Sequence, residues 1–177
     1  MGNVRLYGST SGYTELAPPA VAPDGVLSLP SGVGTLLTAE GGKVLQVVRA
    51  TDTTDRTTTS TSFIDSGLSV TITPRRSTSF IMLISVFLAS KTVSDGCRFV
   101  ITDNSNNFIN GTNPIGGVLY SSSTSSISAM QTLIGYATPA TTSATTYKLR
   151  FASSLGNAAT LSNATNIAQL FAIEVSA

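Results

Sequence analysis

Tyr147-Lys148-Leu149-Arg150-Phe151 carries a large apolar side chain at every second position and a cation between each pair. Period two marks a strand with one buried and one wetted face. Leu68-Ser69-Val70-Thr71-Ile72-Thr73 repeats the pattern, and Cys97, Phe99 and Ile101 alternate with Arg98 and Thr102. Ser79 to Leu88 is apolar at both parities, which predicts a central strand covered on both faces. Val44 to Ala50, Val118 to Tyr120 and Ala129 to Thr138 read as further strands. So does the end of the chain, where Phe171, Ile173 and Val175 alternate with Leu170, Ala172 and Glu174. Phe108 and Ile109 begin a short strand before the turn pair Asn110-Gly111.

Between these runs lie turn residues: Pro74-Arg75-Arg76-Ser77, the Asp103 to Asn107 cluster, and Pro139. No stretch has helical spacing, and Ala158 to Ala168 could hold one turn at most, with Asn163 and Asn166 favouring loop. About eight strands without a repeat of fixed period predict an all-β protein, an antiparallel β-sandwich of jelly-roll type.

Residues 1–42 have a different texture. They hold four of the seven prolines and eight of the 15 glycines. Short apolar pieces (Val4 to Tyr7, Tyr13 to Leu16, Val26 to Leu29) alternate with turn chemistry. Four-residue pieces cannot bury a core alone. They predict an extended arm whose strands pair with another subunit or protein. Its candidate partner-binding residues are Val4, Leu6, Tyr7, Tyr13, Leu16, Val26, Leu27 and Leu29. Gly41-Gly42 is the expected hinge, and residues 43–177 the expected head.

Composition narrows the function. Charged residues make up 11% of the 177, against about 25% in ordinary domains, while 25 Ser and 26 Thr supply hydroxyls. The chain has no His, so it holds neither a His-based nucleophile relay nor a His metal ligand. One cysteine, Cys97, permits no internal disulfide and reads as a buried thiol. A net charge of +1 offers no basic footprint for nucleic acid. The first residues lack a basic region followed by an apolar run, and Phe80 to Ala89 is too short for a membrane helix. The expectation is a non-enzymatic protein made in a cytoplasm, with no cofactor, metal, nucleic acid or membrane.

Asp103, Ser105 and Asn107 have the oxygen spacing of a calcium loop. Phe108 stands where glycine is needed, however, and the closing glutamate is missing, so an Asn-rich turn is the better reading. Arg75 and Arg76 form the one adjacent basic pair and could contact an anion on a partner. Asp52 with Asp55 is the carboxylate pair that glycoside cleavage would need, but no spacing argument places it in a cleft. Asn110-Gly111-Thr112 and Asn163-Ala164-Thr165 match the N-glycosylation pattern and read as chance in a Thr-rich chain. The loops Thr57 to Ser62, Ser121 to Ser126 and Thr141 to Thr146 could offer hydroxyls to a sugar. Tyr120 and Tyr136 are the available aromatic rings.

The arm, Gly8-Ser9-Thr10-Ser11-Gly12-Tyr13 through Leu27-Ser28-Leu29-Pro30, resembles a segment of tailed-bacteriophage tail-fibre and particle-surface proteins, including those of cyanophages. Thr61-Ser62-Phe63-Ile64-Asp65-Ser66-Gly67-Leu68-Ser69-Val70-Thr71-Ile72-Thr73-Pro74 resembles the strand that leads into their jelly-roll head. The resemblance covers roughly residues 2–90 and carries no catalytic residue. It implies a virion structural protein. With one compact head and no long shaft, a capsid decoration (cement) protein fits best, a homotrimer held to major capsid protein by its arm. The alternative is a tail-associated fibre or adhesion module that docks on tail proteins and binds a host surface glycan.

Overall fold

A computed structural model describes residues 4–7, 10–16, 43–91, 94–110, 117–122 and 126–176. The chain divides into two units, residues 1–36 and 37–177. In the first, β1 (Val4–Tyr7) and β2 (Tyr13–Leu16) pair antiparallel, with Val4 opposite Leu16 and Tyr7 opposite Tyr13. These two apolar pieces pair with each other, where the sequence reading looked for strand partners on another subunit or protein. Gly12, at φ 78°, supplies a left-handed residue just before β2. Val26, Leu27, Leu29 and the Gly41-Gly42 hinge lie outside the described residues.

In the second unit the strands are β3 (Val44–Asp52), β4 (Arg56–Thr58), β5 (Ile64–Ile72), β6 (Phe80–Lys91), β7 (Asp95–Asp103) and β8 (Gly117–Ser121). They continue with β9 (Ile127–Ala137), β10 (Thr145–Ser153), β11 (Ala159–Leu161) and β12 (Ala168–Val175). One sheet runs β5-β10-β7-β8. In the other, β6 carries β9 along one edge. Its second edge is shared by β12 and β11, which in turn pair β3 and β4. With β3/β4 and β11/β12 each counted as one interrupted strand, eight strand positions fall in the orders 1-8-3-6 and 2-7-4-5. That is the doubly wound Greek-key order of a jelly roll.

The core lies between the sheets. Leu68, Val70 and Ile72 of β5, Phe99 and Ile101 of β7, and Tyr147, Leu149 and Phe151 of β10 meet Ile81, Leu83 and Phe87 of β6 and Leu170 of β12. The Phe87 and Phe99 rings meet edge to face at 4.9 Å. Cys97 is fully buried as expected, and burial pushes its thiol pKa up. Along β12 the inward set is Ala168, Leu170, Ala172 and Glu174, so the larger Phe171, Ile173 and Val175 face outward.

The structure corrects two further strand readings. β6 is central, but among the described residues only one of its faces is covered by another layer: Phe80, Met82, Ile84, Val86 and Leu88 are half-buried, shielded sideways by their neighbours. Phe108 makes only an isolated bridge to Thr102, and Asn110 one to Tyr136, because the Asp103–Asn107 turn brings the chain straight back.

A buried ion pair fixes one corner of the head. Asp95 and Lys91 have fully buried side chains 3.0 Å apart. Lys91 Nζ also donates to the Asn157 and Ala158 carbonyls at 2.7 and 2.8 Å. Asp95 accepts from the Gly96, Leu155 and Asn157 amides and from the Ser153 hydroxyl. Burial alone would raise the Asp95 pKa. Ser153, Lys91 and the amides outweigh it and hold the carboxyl well below the usual carboxylate range.

Candidate functional site

The two outer faces of the sandwich differ. On the β5-β10 side, Arg150 Nε meets Asp65 at 2.7 Å, Lys148 Nζ meets it at 3.4 Å, and the Thr71 and Thr146 hydroxyls pair at 2.7 Å. That face is dressed for water. On the β9-β6-β12-β3 side the register aligns Tyr136, Met82, Ile173 and Val47 in one row across the sheet. The next row is Ile134, Ile84, Phe171 and Arg49, and beyond it Met130 stands beside Leu88. Ile134 is 59% exposed, Val47 57% and Met130 53%. At about 4.8 Å between strands and about 3.3 Å per residue, these rows reach roughly 14 Å across the sheet and roughly 20 Å along β6, with Thr132, Val86, Gln169 and Thr51 forming the row between Ile84 and Leu88. Contiguous apolar patches beyond a few hundred Å² mark interaction surfaces, and the main such patch on a protein is often functional.

A second feature sits at one end of the sandwich, where a cavity of about 390 Å³ opens between the sheets. Asp103, Phe108, Asn110, Tyr136, Pro139 and Tyr147 are among the residues lining it. Asp103 and Tyr147 are register partners at the ends of β7 and β10. Asp103 accepts from the Asn107 amide N–H and from Asn107 Nδ2, both at 2.9 Å. Its burial is outweighed by these bonds and by nearby Lys148, so its pKa is lowered. Burial, with Asp103 adding to it, pushes the Tyr147 phenol up to about 12.

The other sequence candidates fall elsewhere. The Arg75 and Arg76 backbone N–H groups donate to Glu174 Oε1 at 2.8 and 3.2 Å, and Gln46 Nε2 donates to its other oxygen at 2.6 Å. The basic turn is thus anchored on a carboxylate of its own chain, with the Arg75 side chain exposed and Arg76 half-buried. Burial of Glu174 is outweighed by Gln46 and these two amides, which lower its pKa. Asp52 and Asp55 pin the loop before β12: Asn163 Nδ2 donates to Asp52 at 3.1 Å and the Ala164 amide to Asp55 at 2.7 Å. The Asp103–Asn107 cluster is a closed turn with Asn106 at φ 69°.

Tyr120 and Tyr136 are 57% and 51% exposed, and the fold does not bring them together. Tyr120 stands opposite Gly96 at the start of β7, about 23 Å along that strand from Asp103. For the arm residues Val4, Leu6, Tyr7, Tyr13 and Leu16 the structure gives the hairpin pairing of the backbone. Sequence reasoning missed the outer apolar face, whose signal was the double-parity run of β6. It also missed the pairing of Asp103 with Tyr147, which depends on sheet register.

No protein-family model matches the chain, and no curated protein matches it. Among solved structures, the chain is similar to the infectious bursal disease virus Gt strain structure, at 14% identity and TM-score 0.36. It is also similar to a mutant VP2 protein of that virus in derived particles, at 18% identity and TM-score 0.29. These matches cover 97% of this chain and 46% and 44% of those chains, so it spans less than half the length of each.

Proposed function

We propose that the chain is a non-enzymatic structural protein of a tailed-bacteriophage particle, a capsid decoration (cement) protein. Residues 1–42 anchor it to the major capsid protein, and the jelly-roll head of residues 43–177 stabilises the shell from outside. It is made in the host cytoplasm and ends on the particle surface. The observation that carries this reading is the outer face of the β9-β6-β12-β3 sheet. A face so apolar on one side of a sandwich, opposite a face of ion pairs and hydroxyls, fits a head that works packed against other protein. Closure of three copies about an axis would cover it. The sequence resemblance of the arm to particle-surface proteins supports the virion setting. The outer edges of the β1–β2 hairpin suit strand addition to a partner sheet.

The test is to add purified protein to particles that lack it and image them by cryo-electron microscopy. Density at regular capsid positions, with particles more resistant to heat, is the expected result. Deleting residues 1–42 should abolish binding and leave a folded head; binding that survives would overturn the anchor. Density at the tail alone would favour the second reading, a fibre or adhesion module. The cavity at the end of the sandwich supports that alternative.

A further inference from the structure

We infer that the open edge of β9 docks a second copy of this chain, the two β9 strands pairing antiparallel about a two-fold axis at Gln131. β9 pairs with β6 from Ile127 to Ala137 without a register shift. Its Tyr136 N–H points the other way and donates to the Asn110 carbonyl at 3.1 Å. In an antiparallel strand every second residue turns its N–H and C=O to the same side. Ser128, Met130, Thr132 and Ile134 therefore present theirs on the edge away from β6. Among the described residues no strand pairs with them there.

Such edges recruit strands, and proteins blunt them with charge, proline, bulges or short length. The other edges of the head carry these devices. β3 has Arg49 and Asp52, and its register against β12 shifts. β5 has Asp65, and its pairing shifts between Lys148 and Arg150. β4 and β8 have three and five residues. β9 is 11 residues long and has no charge, no proline and no shift.

Charge and symmetry select the occupant. A two-fold axis sets identical edges against each other, so a charged edge meets its own sign, and β9 carries none. One register uses all the open residues of both copies. It sets Ser128 opposite Ile134 of the second copy and Met130 opposite its Thr132, each pair exchanging two backbone bonds. Gln131 then faces Gln131, a neutral amide that both donates and accepts across the axis. Met130 and Ile134, 53% and 59% exposed, gain cover at the seam. Asn110 closes the edge at Tyr136, which ends the pairing there. Main-chain bonds along one strand give weak, concentration-dependent association, and copies held side by side on a surface are driven into it.

The pairing goes beyond the particle-anchoring reading and is tested on the full chain without particles. Opposed residues of a non-hydrogen-bonded pair have Cα atoms about 4.5 Å apart, inside the disulfide window of about 4.4–6.8 Å. Gln131→Cys, oxidised in a glutathione buffer, should give a linked dimer on a non-reducing gel, at about tenfold or more the yield of Ser128→Cys. In the inferred register the two Ser128 residues lie about 20 Å apart along the strands. Cys97 is fully buried and stays out of the exchange. A threefold contact through the apolar face brings no two Gln131 residues together, so the linked dimer separates the two arrangements. Thr132→Pro, added to Gln131→Cys, removes an N–H that points away from β6 and should cut the yield while far-UV circular dichroism holds. In the native chain, peptides from β9 should exchange hydrogen for deuterium faster at about 10 μM than at about 1 mM. No linked dimer from a folded Gln131→Cys chain, equal linkage through Ser128→Cys, a yield unmoved by Thr132→Pro, or β9 exchange independent of concentration would overturn the pairing.

Discussion

Replacing Asp95 by Asn keeps the shape of a fully buried polar group in the head and removes its charge. In the native chain five donors converge on that carboxylate: three amides, the Ser153 hydroxyl and the Lys91 ammonium. An amide oxygen can serve the Gly96 and Leu155 N–H groups. The Nδ2 group must then face the Ser153 hydroxyl, the Asn157 N–H and Lys91. Lys91, with its side chain fully buried, would lose its counter-charge. Breaking a buried pair in this way costs roughly 3–5 kcal/mol. At about 2–4 °C per kcal/mol for a domain of this size, the thermal midpoint should drop by roughly 6–20 °C. Lys91→Met should cost less, because Asp95 keeps four donors, although the Asn157 and Ala158 carbonyls lose theirs. Urea unfolding followed by far-UV circular dichroism and tyrosine fluorescence measures both, as the chain has no Trp. A loss below about 1 kcal/mol for Asp95→Asn, or a larger loss for Lys91→Met, would refute the view that the hydrogen-bonded carboxylate organises this corner.

Asp95, Glu174 and Asp103 all have folded pKa values below the ordinary carboxylate range. Each contributes stability that is complete above about pH 5 and fades as pH falls through about 4, so the urea midpoint should be flat from neutral to about pH 5 and drop below it. Ile134→Lys changes a side chain already 59% exposed. It should alter unfolding stability by less than about 1 kcal/mol while abolishing self-association or particle binding, read by analytical ultracentrifugation and co-sedimentation. Gly67 sits at φ 82° in the β5 bulge, where a β-carbon would run into the Arg56 guanidinium. Gly67→Ala should therefore cost about 1–2 kcal/mol or more in urea unfolding, and an unchanged midpoint would show the bulge to be adaptable.

Strand identity was legible wherever a side chain's polarity reported its face. Tyr147 to Phe151 and Leu68 to Ile72 alternate in the chain as they do in the sandwich. β12 shows where that signal weakens: both of its parities are apolar, so sequence could not say that Leu170 and Ala172 go inside and Phe171 and Ile173 outside. β6 misleads for the same reason. A run apolar on both faces reads alike whether its second face meets a neighbouring layer or lies open at the surface. β4 and β11 are three residues each, too short for any period to register. The cavity depends on contacts between residues far apart in the chain. Asp103 and Tyr147 become neighbours only through the antiparallel register of β7 and β10. The Arg75-Arg76 pair stood out by its charge, yet its backbone amides hold the Glu174 bond that fixes the turn.

The paired hydroxyls have a consequence for where such a protein can be used. Thr71 meets Thr146 at 2.7 Å, Ser90 meets Ser128 at 2.8 Å, and Thr57 meets Thr160 at 3.0 Å, all across neighbouring strands at the surface. Hydroxyls neither titrate in the physiological range nor recruit counter-ions. A coat built from them keeps the same hydration in fresh water, in brine and across the neutral pH range, where a coat of Lys and Glu would swell or collapse as salt screens it. The cross-strand threonines and serines thus insulate the surface from the chemistry of its surroundings, and the few charges that remain are spent on holding the corners of the fold.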